Sequence, residues 1–253
     1  MPRYKLTIEY DGTPYHGWQR QDGFPSVQQA LEEAVAEFAR HPVTLFAAGR
    51  TDTGVHGLGQ VAHVDLEAEW PTYKICEATN GLLKLANHPV AVLACEKVAD
   101  DFDARFSAKR RHYRYLILNR PANLTVDAGR LWHVKKPLDI EAMDNAAKGL
   151  LGHHDFTTFR STDCQAKNPE RTLDTLDVRL AADRGTGGRL IEIVTSSRAF
   201  LHNQVRSMAG SLKLVGEGKW AADDLKAALE AKDRKACGPV APSCGLYFMS
   251  VDY

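Results

Sequence analysis

Hydrophobic and polar residues alternate through Tyr4-Lys5-Leu6-Thr7-Ile8-Glu9-Tyr10, the period of two that turns one face of a β-strand toward a core. The period then changes. Val27, Leu31, Val35 and Phe38 fall three or four residues apart, as on one side of a helix, with Ser26 ahead of them as a cap and Gln29 at the capping-box position. Residues 43–48 and 60–66 read as strands on either side of a glycine-flanked loop. Residues 72–84 read as a shorter helix and the apolar run 90–98 as another strand. The second half repeats this rhythm, with strands over 111–118 and near 130–134, then a helix capped by Asp139 that carries Ile140, Met143, Ala147 and Leu150. Residues 172–180 and 188–195 predict a strand pair joined through the Asp183 to Gly188 turn. Helices around 202–216 and 221–232 follow, then a final strand near 246–252. This order predicts an α+β fold of two related halves divided near residues 100–108. Pattern alone is compatible with two adjoining sheets or one continuous sheet.

Composition narrows the class. A chain of 253 residues with 44% hydrophobic and 25% charged residues fits an ordinary globular protein. No apolar run approaches the roughly 20 residues needed to cross a bilayer, so no membrane role is expected. The chain enters its first strand pattern without an apolar leader, which makes a cytoplasmic location the simple expectation. Cys76, Cys95, Cys164, Cys237 and Cys244 are scattered, odd in number and without a CxxC pair, a pattern that fits neither a disulfide framework nor a metal site. His153-His154 lacks a convincing third ligand, and no metal is expected. Lysine plus arginine and aspartate plus glutamate both number 32, yet Arg105, Lys109, Arg110, Arg111, Arg114 and Arg120 follow one another without an intervening acid. Such local positive potential steers RNA even when total charge cancels, and it equally describes a solvated face.

The segment Gly49-Arg50-Thr51-Asp52-Thr53-Gly54-Val55-His56-Gly57 carries the most chemistry. It sets a carboxylate beside an arginine, between glycines that let the backbone turn sharply and approach a ribose or phosphate. A paired, partly dehydrated aspartate at such a bend suits a nucleophile or an electrostatic catalyst. The same charges also suit a structural ion pair, because aspartate commonly closes turns. The segment is not a P-loop, since it lacks the Gly-Lys-Ser/Thr ending.

Other blocks surround this loop in a fixed order. Tyr10-Asp11-Gly12-Thr13 with Gly17-Trp18-Gln19 comes first. Ala104-Arg105-Phe106-Ser107-Ala108, Arg111 and Tyr113-Arg114-Tyr115 follow the loop. Then come Asp155-Phe156-Thr157, Phe200-Leu201-His202 with Val205-Arg206, and Gly245-Leu246-Tyr247. Together they resemble the bacterial tRNA pseudouridine synthase A family over nearly the whole chain, with Thr53 where many members carry alanine. The resemblance implies a long central antiparallel sheet with helices packed on one side and an active cleft between the halves. Residues 1–103 would form an α+β domain carrying the aspartate loop, and residues 104–253 a second carrying the tyrosine and the basic partner. The implied activity is isomerisation of uridine to pseudouridine in the anticodon stem-loop of tRNA by a homodimer that needs no cofactor.

On this resemblance Asp52 is the essential carboxylate, Tyr113 the active-site tyrosine and Arg206 the basic partner. Asp52 can stabilise cationic character at C1′, attack that carbon, or remove a sugar proton, and each role needs an ionised group in place before the base leaves. Arg206 is the preferred partner of that anion, which leaves Arg50 to meet RNA phosphate or to orient the loop. The Tyr113 ring can pack against uracil, or its hydroxyl can relay a proton; Tyr115 reads as a packing residue. Arg105, Arg110 and Arg111 are expected phosphate contacts. His56 and His202 are candidate RNA contacts, with local bracing as the alternative. The rival readings are a noncatalytic structured-RNA-binding protein and a different carboxylate enzyme, such as a nucleoside or RNA hydrolase.

Overall fold

The opening alternation forms strand β1, Arg3–Tyr10, in the computed structural model, which describes residues 1–253. Tyr4, Leu6, Ile8 and Tyr10 are its buried residues. They share one core with Leu31 and Val35 of α1 (Val27–Ala39) and Ile75 of α2 (Thr72–Leu85), closed by Trp18 and Val64. Ser26 caps α1 as the sequence predicts, its hydroxyl accepting from the Gln29 amide at 3.2 Å. The Gln29 side chain turns to Glu33 at 2.8 Å and does not reciprocate the cap. Leu31 is fully buried, so truncating it to alanine removes roughly 2–5 kcal/mol of stability.

Strand β1 lies between β3 (His56–Asp65) and β4 (Val90–Val98), antiparallel to both, and the short β2 (Phe46–Ala47) pairs with β3. Asn80 of α2 clamps β4, donating to the Val92 carbonyl at 2.9 Å and accepting from the Val92 amide at 2.7 Å. β3 starts at His56, earlier than the expected residue 60, because its glycines are strand residues and not turn residues. A Cβ at Gly59 would overlap the Met249 carbonyl of β10 (Leu246–Asp252), so glycine here marks close strand approach. β10 runs parallel to β3, with Tyr247 opposite His56 and Phe248 opposite Gly57. Residues Met1–Lys109 and Tyr247–Tyr253 accordingly form one compact unit, and Arg110–Leu246 the other. The return of the last strand leaves no trace in the order of the sequence pattern.

In the second unit, β5 (Arg110–Asn119), β9 (Arg189–Ser197), β8 (Glu170–Asp183) and β7 (Gly152–Asp155) neighbour one another in that order, all antiparallel. β6 (Trp132–Val134) runs parallel to β5. Pairing is mostly antiparallel, as the resemblance implies, with a parallel pair in each unit, β3–β10 and β5–β6. The β8–β9 hairpin turns at the expected place, with the Asp183 carboxylate accepting from the Gly185 amide at 2.8 Å. β7 is absent from the sequence expectation because Gly-His-His-Asp has no apolar alternation to signal it. α3 (Ile140–Ala147) begins after Asp139, whose side chain accepts from the Ala142 amide at 2.9 Å. α4 (Gln204–Gly216) and α5 (Ala222–Ala231) complete the unit. α4 starts at residue 204 and not at 202 because Asn203 adopts a left-handed φ of 63°, outside the right-handed helical region. No helix is long and apolar enough to cross a membrane.

Candidate active site

Asp52 is half-buried on the loop that leads into β3. Main-chain bonds hold the loop. The Trp18 amide donates to the Thr51 carbonyl at 3.0 Å, the Val55 amide to the Asp52 carbonyl at 3.1 Å, and the Gly54 amide to the Tyr15 carbonyl at 3.4 Å. The Gln60 side chain adds a bond to the Gly49 carbonyl at 2.8 Å. A Cβ at Gly12 would overlap the Val55 carbonyl, so residues 10–18 and 49–57 interlock at closer range than a side chain permits. Thr51 is buried beside Asp52, and its hydroxyl pairs with the Tyr10 hydroxyl at 2.8 Å. Burial pushes the Tyr10 phenol up to about 12. It stays protonated at neutral pH and acts as a hydrogen-bonding post under the loop, not as a proton carrier.

His56 braces the same structure from below. Its Nδ1 lies 3.1 Å from the Gly12 amide nitrogen and 3.2 Å from the Asp11 carboxylate. One nitrogen does not accept from an amide and donate to a carboxylate at once. The buried amide needs a partner, so Nδ1 is the acceptor and Asp11 an electrostatic neighbour. The imidazole also stacks on Tyr247, with ring centroids 4.8 Å apart. His56 is 2% exposed.

The second unit holds the other matched residues. Tyr113 on β5 is buried and meets Phe200 edge to face, with centroids 5.1 Å apart. Tyr115 is fully buried, donates to the Pro242 carbonyl at 2.7 Å and packs edge-on to Trp132. Burial raises its phenol well above the usual value, as suits a packing residue. Arg206 on α4 is held by its guanidinium: Nε donates to the Ala241 carbonyl at 2.8 Å and Nη1 to the Asn203 side chain at 2.8 Å. The left-handed turn of Asn203 is what brings that amide oxygen within reach.

The arginines that form one run in the sequence have separate fates. Arg111 is buried, with Nη1 donating to the Arg198 carbonyl. Arg110 is exposed and ion-paired with Asp174 at 3.0 Å. Arg120 donates to the carbonyls of Ala122, Gly187 and Asn123. Arg105 is exposed with its guanidinium 5.6 Å from the Phe106 ring, and Arg50 and His202 are exposed. Of the supports of Asp52, the sequence offers His56 alone, as a local brace. Tyr10, Asp11 and Gly12 stand in a recognisable block, but nothing in the pattern ties them to Thr51, Val55 and His56.

Comparison with known proteins completes the picture. The family model described as tRNA pseudouridine synthase matches residues 6–107 and 146–253. The chain is 60% identical over 253 residues to tRNA pseudouridine synthase A of Rhizobium meliloti (strain 1021), covering all of both chains. It is 60% identical to the Allorhizobium ampelinum protein of that name, covering 100% of this chain and 95% of the relative. Identity to the Brucella ovis protein is 58%, covering 100% of this chain and 98% of the relative. A chain of the archaeal box H/ACA sRNP Nop10–Cbf5 complex aligns over 92% of this chain and 60% of its own, at 13% identity and a TM-score of 0.34, too weak to carry an argument. The family match and the full-length identities agree: the chain belongs to the tRNA pseudouridine synthase family.

Proposed function

We propose that this protein isomerises uridine to pseudouridine in tRNA, with Asp52 as the essential carboxylate. The observation that carries this reading is a half-buried Asp52 on a clamped loop, in a chain 60% identical along its whole length to tRNA pseudouridine synthase A. The reaction breaks the C1′–N1 bond, turns the uracil and joins C1′ to C5. The proton lost at C5 is balanced by one gained at N1, so mass is unchanged and no electrons leave the substrate.

Asp52 acts at the ribose. Whether by holding positive charge at C1′, by attacking it or by taking a sugar proton, its contribution depends on an ionised oxygen already in place, which spares reorganisation during the reaction. Arg206 is the basic partner that favours the anion. Tyr113 offers its ring to the detached uracil or its hydroxyl to a proton. Extruding the uridine costs a few kcal/mol of stacking and pairing, offset by contacts in the pocket. Exposed Arg50, Arg105 and His202 suit phosphate contacts that position a folded RNA without reading its bases. The anticodon stem-loop as target, a homodimeric assembly and a cytoplasmic location belong to the same proposal and rest on the family resemblance.

The test is incubation of the purified protein with unmodified tRNA transcripts, followed by pseudouridine mapping at single-nucleotide resolution. Product is expected in the anticodon stem-loop. A folded protein that binds tRNA yet leaves every uridine unchanged contradicts the proposal, and release of free uracil or cleavage of the chain would indicate a hydrolase.

A further inference from the structure

Just before β5 the chain makes a turn whose tip is exposed and whose feet are buried. Ala104 and Ala108 are buried, whereas Arg105, Phe106 and Ser107 between them face solvent. The turn closes on itself. The Asp103 carboxylate accepts from the Arg105 amide at 2.7 Å and the Phe106 amide at 2.8 Å, and the Ser107 hydroxyl accepts from the Asp103 amide at 3.0 Å. Two residues distant in sequence grip the polar main-chain groups of Ala104. Nδ1 of His63, on β3, accepts from the Ala104 amide at 3.0 Å, and the Tyr253 hydroxyl donates to the Ala104 carbonyl at 2.8 Å. His63 is buried and stacked on Phe46, with centroids 5.1 Å apart, and the Tyr253 ring tilts against Phe102 at 4.9 Å. All of these residues belong to the first unit.

We infer that His63 and Tyr253 are positioning residues for tRNA binding, which fix the direction in which Arg105 meets an RNA phosphate. The inference rests on the proposed function, in which Arg105 is such a contact. An accepting Nδ1 bears no proton, so the His63 ring is neutral with its hydrogen on Nε2. Burial, then the charge of Arg3, lowers the His63 pKa and favours this form. The Ala104 amide is buried and needs its acceptor. The two bonds to Ala104 thus fix the backbone from which Arg105 departs. The tip has no core to pack on: Phe106 is 77% exposed, with the Arg105 guanidinium 5.6 Å from its ring centre. Burial of the tip therefore does not account for the order of the turn; the bonds at its foot do. A cation beside an aromatic face grips an RNA strand whatever its bases, so this contact reads no sequence. A turn fixed in advance also avoids the cost of ordering it as RNA binds.

Tyr253→Phe removes one hydroxyl and keeps the ring against Phe102, so it should retain the fold by circular dichroism. Its binding to an unmodified tRNA transcript should weaken about fivefold, the equivalent of one hydrogen bond, with the loss in KM and not in kcat. His63→Leu should act in the same direction. His63→Asn, whose side-chain oxygen takes the place of Nδ1, should recover most of the affinity even at a lower melting temperature. Arg105→Ala should weaken binding about tenfold and lower the slope of log Kd against log salt by about one phosphate contact. The decisive protein carries Arg105→Ala and Tyr253→Phe together. Positioning predicts that Tyr253→Phe has no further effect once Arg105 is gone. Equal fractional losses in both backgrounds, or parental affinity in Tyr253→Phe, would overturn the inference. Because the cycle is read from binding, it separates from turnover. Coupling without pseudouridine overturns the isomerase reading alone, pseudouridine with independent losses overturns the positioning roles alone, and absence of tRNA binding overturns both.

Discussion

Asp52 and Arg206 are positioned by different means. The aspartate loop is held by main-chain bonds from Trp18, Val55 and Gly54 and by the close approach of Gly12 to Val55. Arg206 is oriented through its own guanidinium, by the Ala241 carbonyl and the Asn203 side chain. Substitution at position 52 leaves the main-chain bonds of the loop in place. Substitution at position 206 changes the charged group and its anchoring bonds together.

Asp52→Asn gives the sharpest form of this contrast. It keeps size and loop bonds while removing the charge, so turnover should fall by at least about a thousandfold, the upper range for loss of a preorganised electrostatic group. The melting temperature should stay near that of the parent protein. Calorimetry beside single-turnover assays checks both, and a variant with substantial activity would break the assignment. Gly12→Ala attacks the geometry while leaving the carboxylate intact. The new Cβ must displace the Val55 carbonyl, and a displacement on the order of 1 Å costs about 100-fold in rate, accompanied by a lower melting temperature. Unchanged kinetics would show that the interlock does not position Asp52.

Arg206→Lys is expected to cost about tenfold in kcat. One ammonium cannot reproduce two bonds in a fixed fork, and bonds to charged groups contribute about 1.5–3 kcal/mol. Activity equal to the parent would mean that charge alone suffices at this position. Tyr10→Phe removes the bond to Thr51 and should cost about 1 kcal/mol of stability by urea unfolding, with a smaller kinetic effect.

The smallest effect is expected at the far end of β1. Arg3 holds the Asp65 carboxylate through two bonds of 2.8 Å, chiefly by hydrogen bonding, and so lowers its pKa in the fold. A carboxyl depressed in the fold contributes stability above its unfolded value, and that contribution disappears as pH falls through the folded value. Arg3→Gln should therefore flatten the acid side of the stability profile below about pH 4. Both side chains are partly exposed, which limits the change to about 1 kcal/mol or less. An unchanged acid slope would place the acid sensitivity elsewhere.

These contrasts also explain what could be read from sequence. β1 and α1 carry clear periods, and β4 an apolar run, because each enters the same core. Ser26 and Asp139 act as the caps they resemble, since capping is a contact of three residues and is local by nature. β7 and the early start of β3 lack an apolar signature, and the glycines of β3 resemble a turn until β10 is seen beside them. The return of β10 to the first unit is long-range, as is the Tyr10–Thr51 bond across 41 residues. At the site, the Asp52 loop was legible as a contiguous motif. The protein partners of the basic run were not legible, because charge in sequence does not reveal them: Asp174 for Arg110, the Arg198 carbonyl for Arg111. Neither partner is near in the chain.

The central claim is most directly tested by mapping pseudouridine, nucleotide by nucleotide, in unmodified tRNA treated with the parent protein and with Asp52→Asn. The account predicts new pseudouridine in the anticodon stem-loop with the parent protein and none with the variant, although both bind the RNA. Equal modification by both proteins would contradict the role given to Asp52, and modification by neither would contradict the isomerase itself.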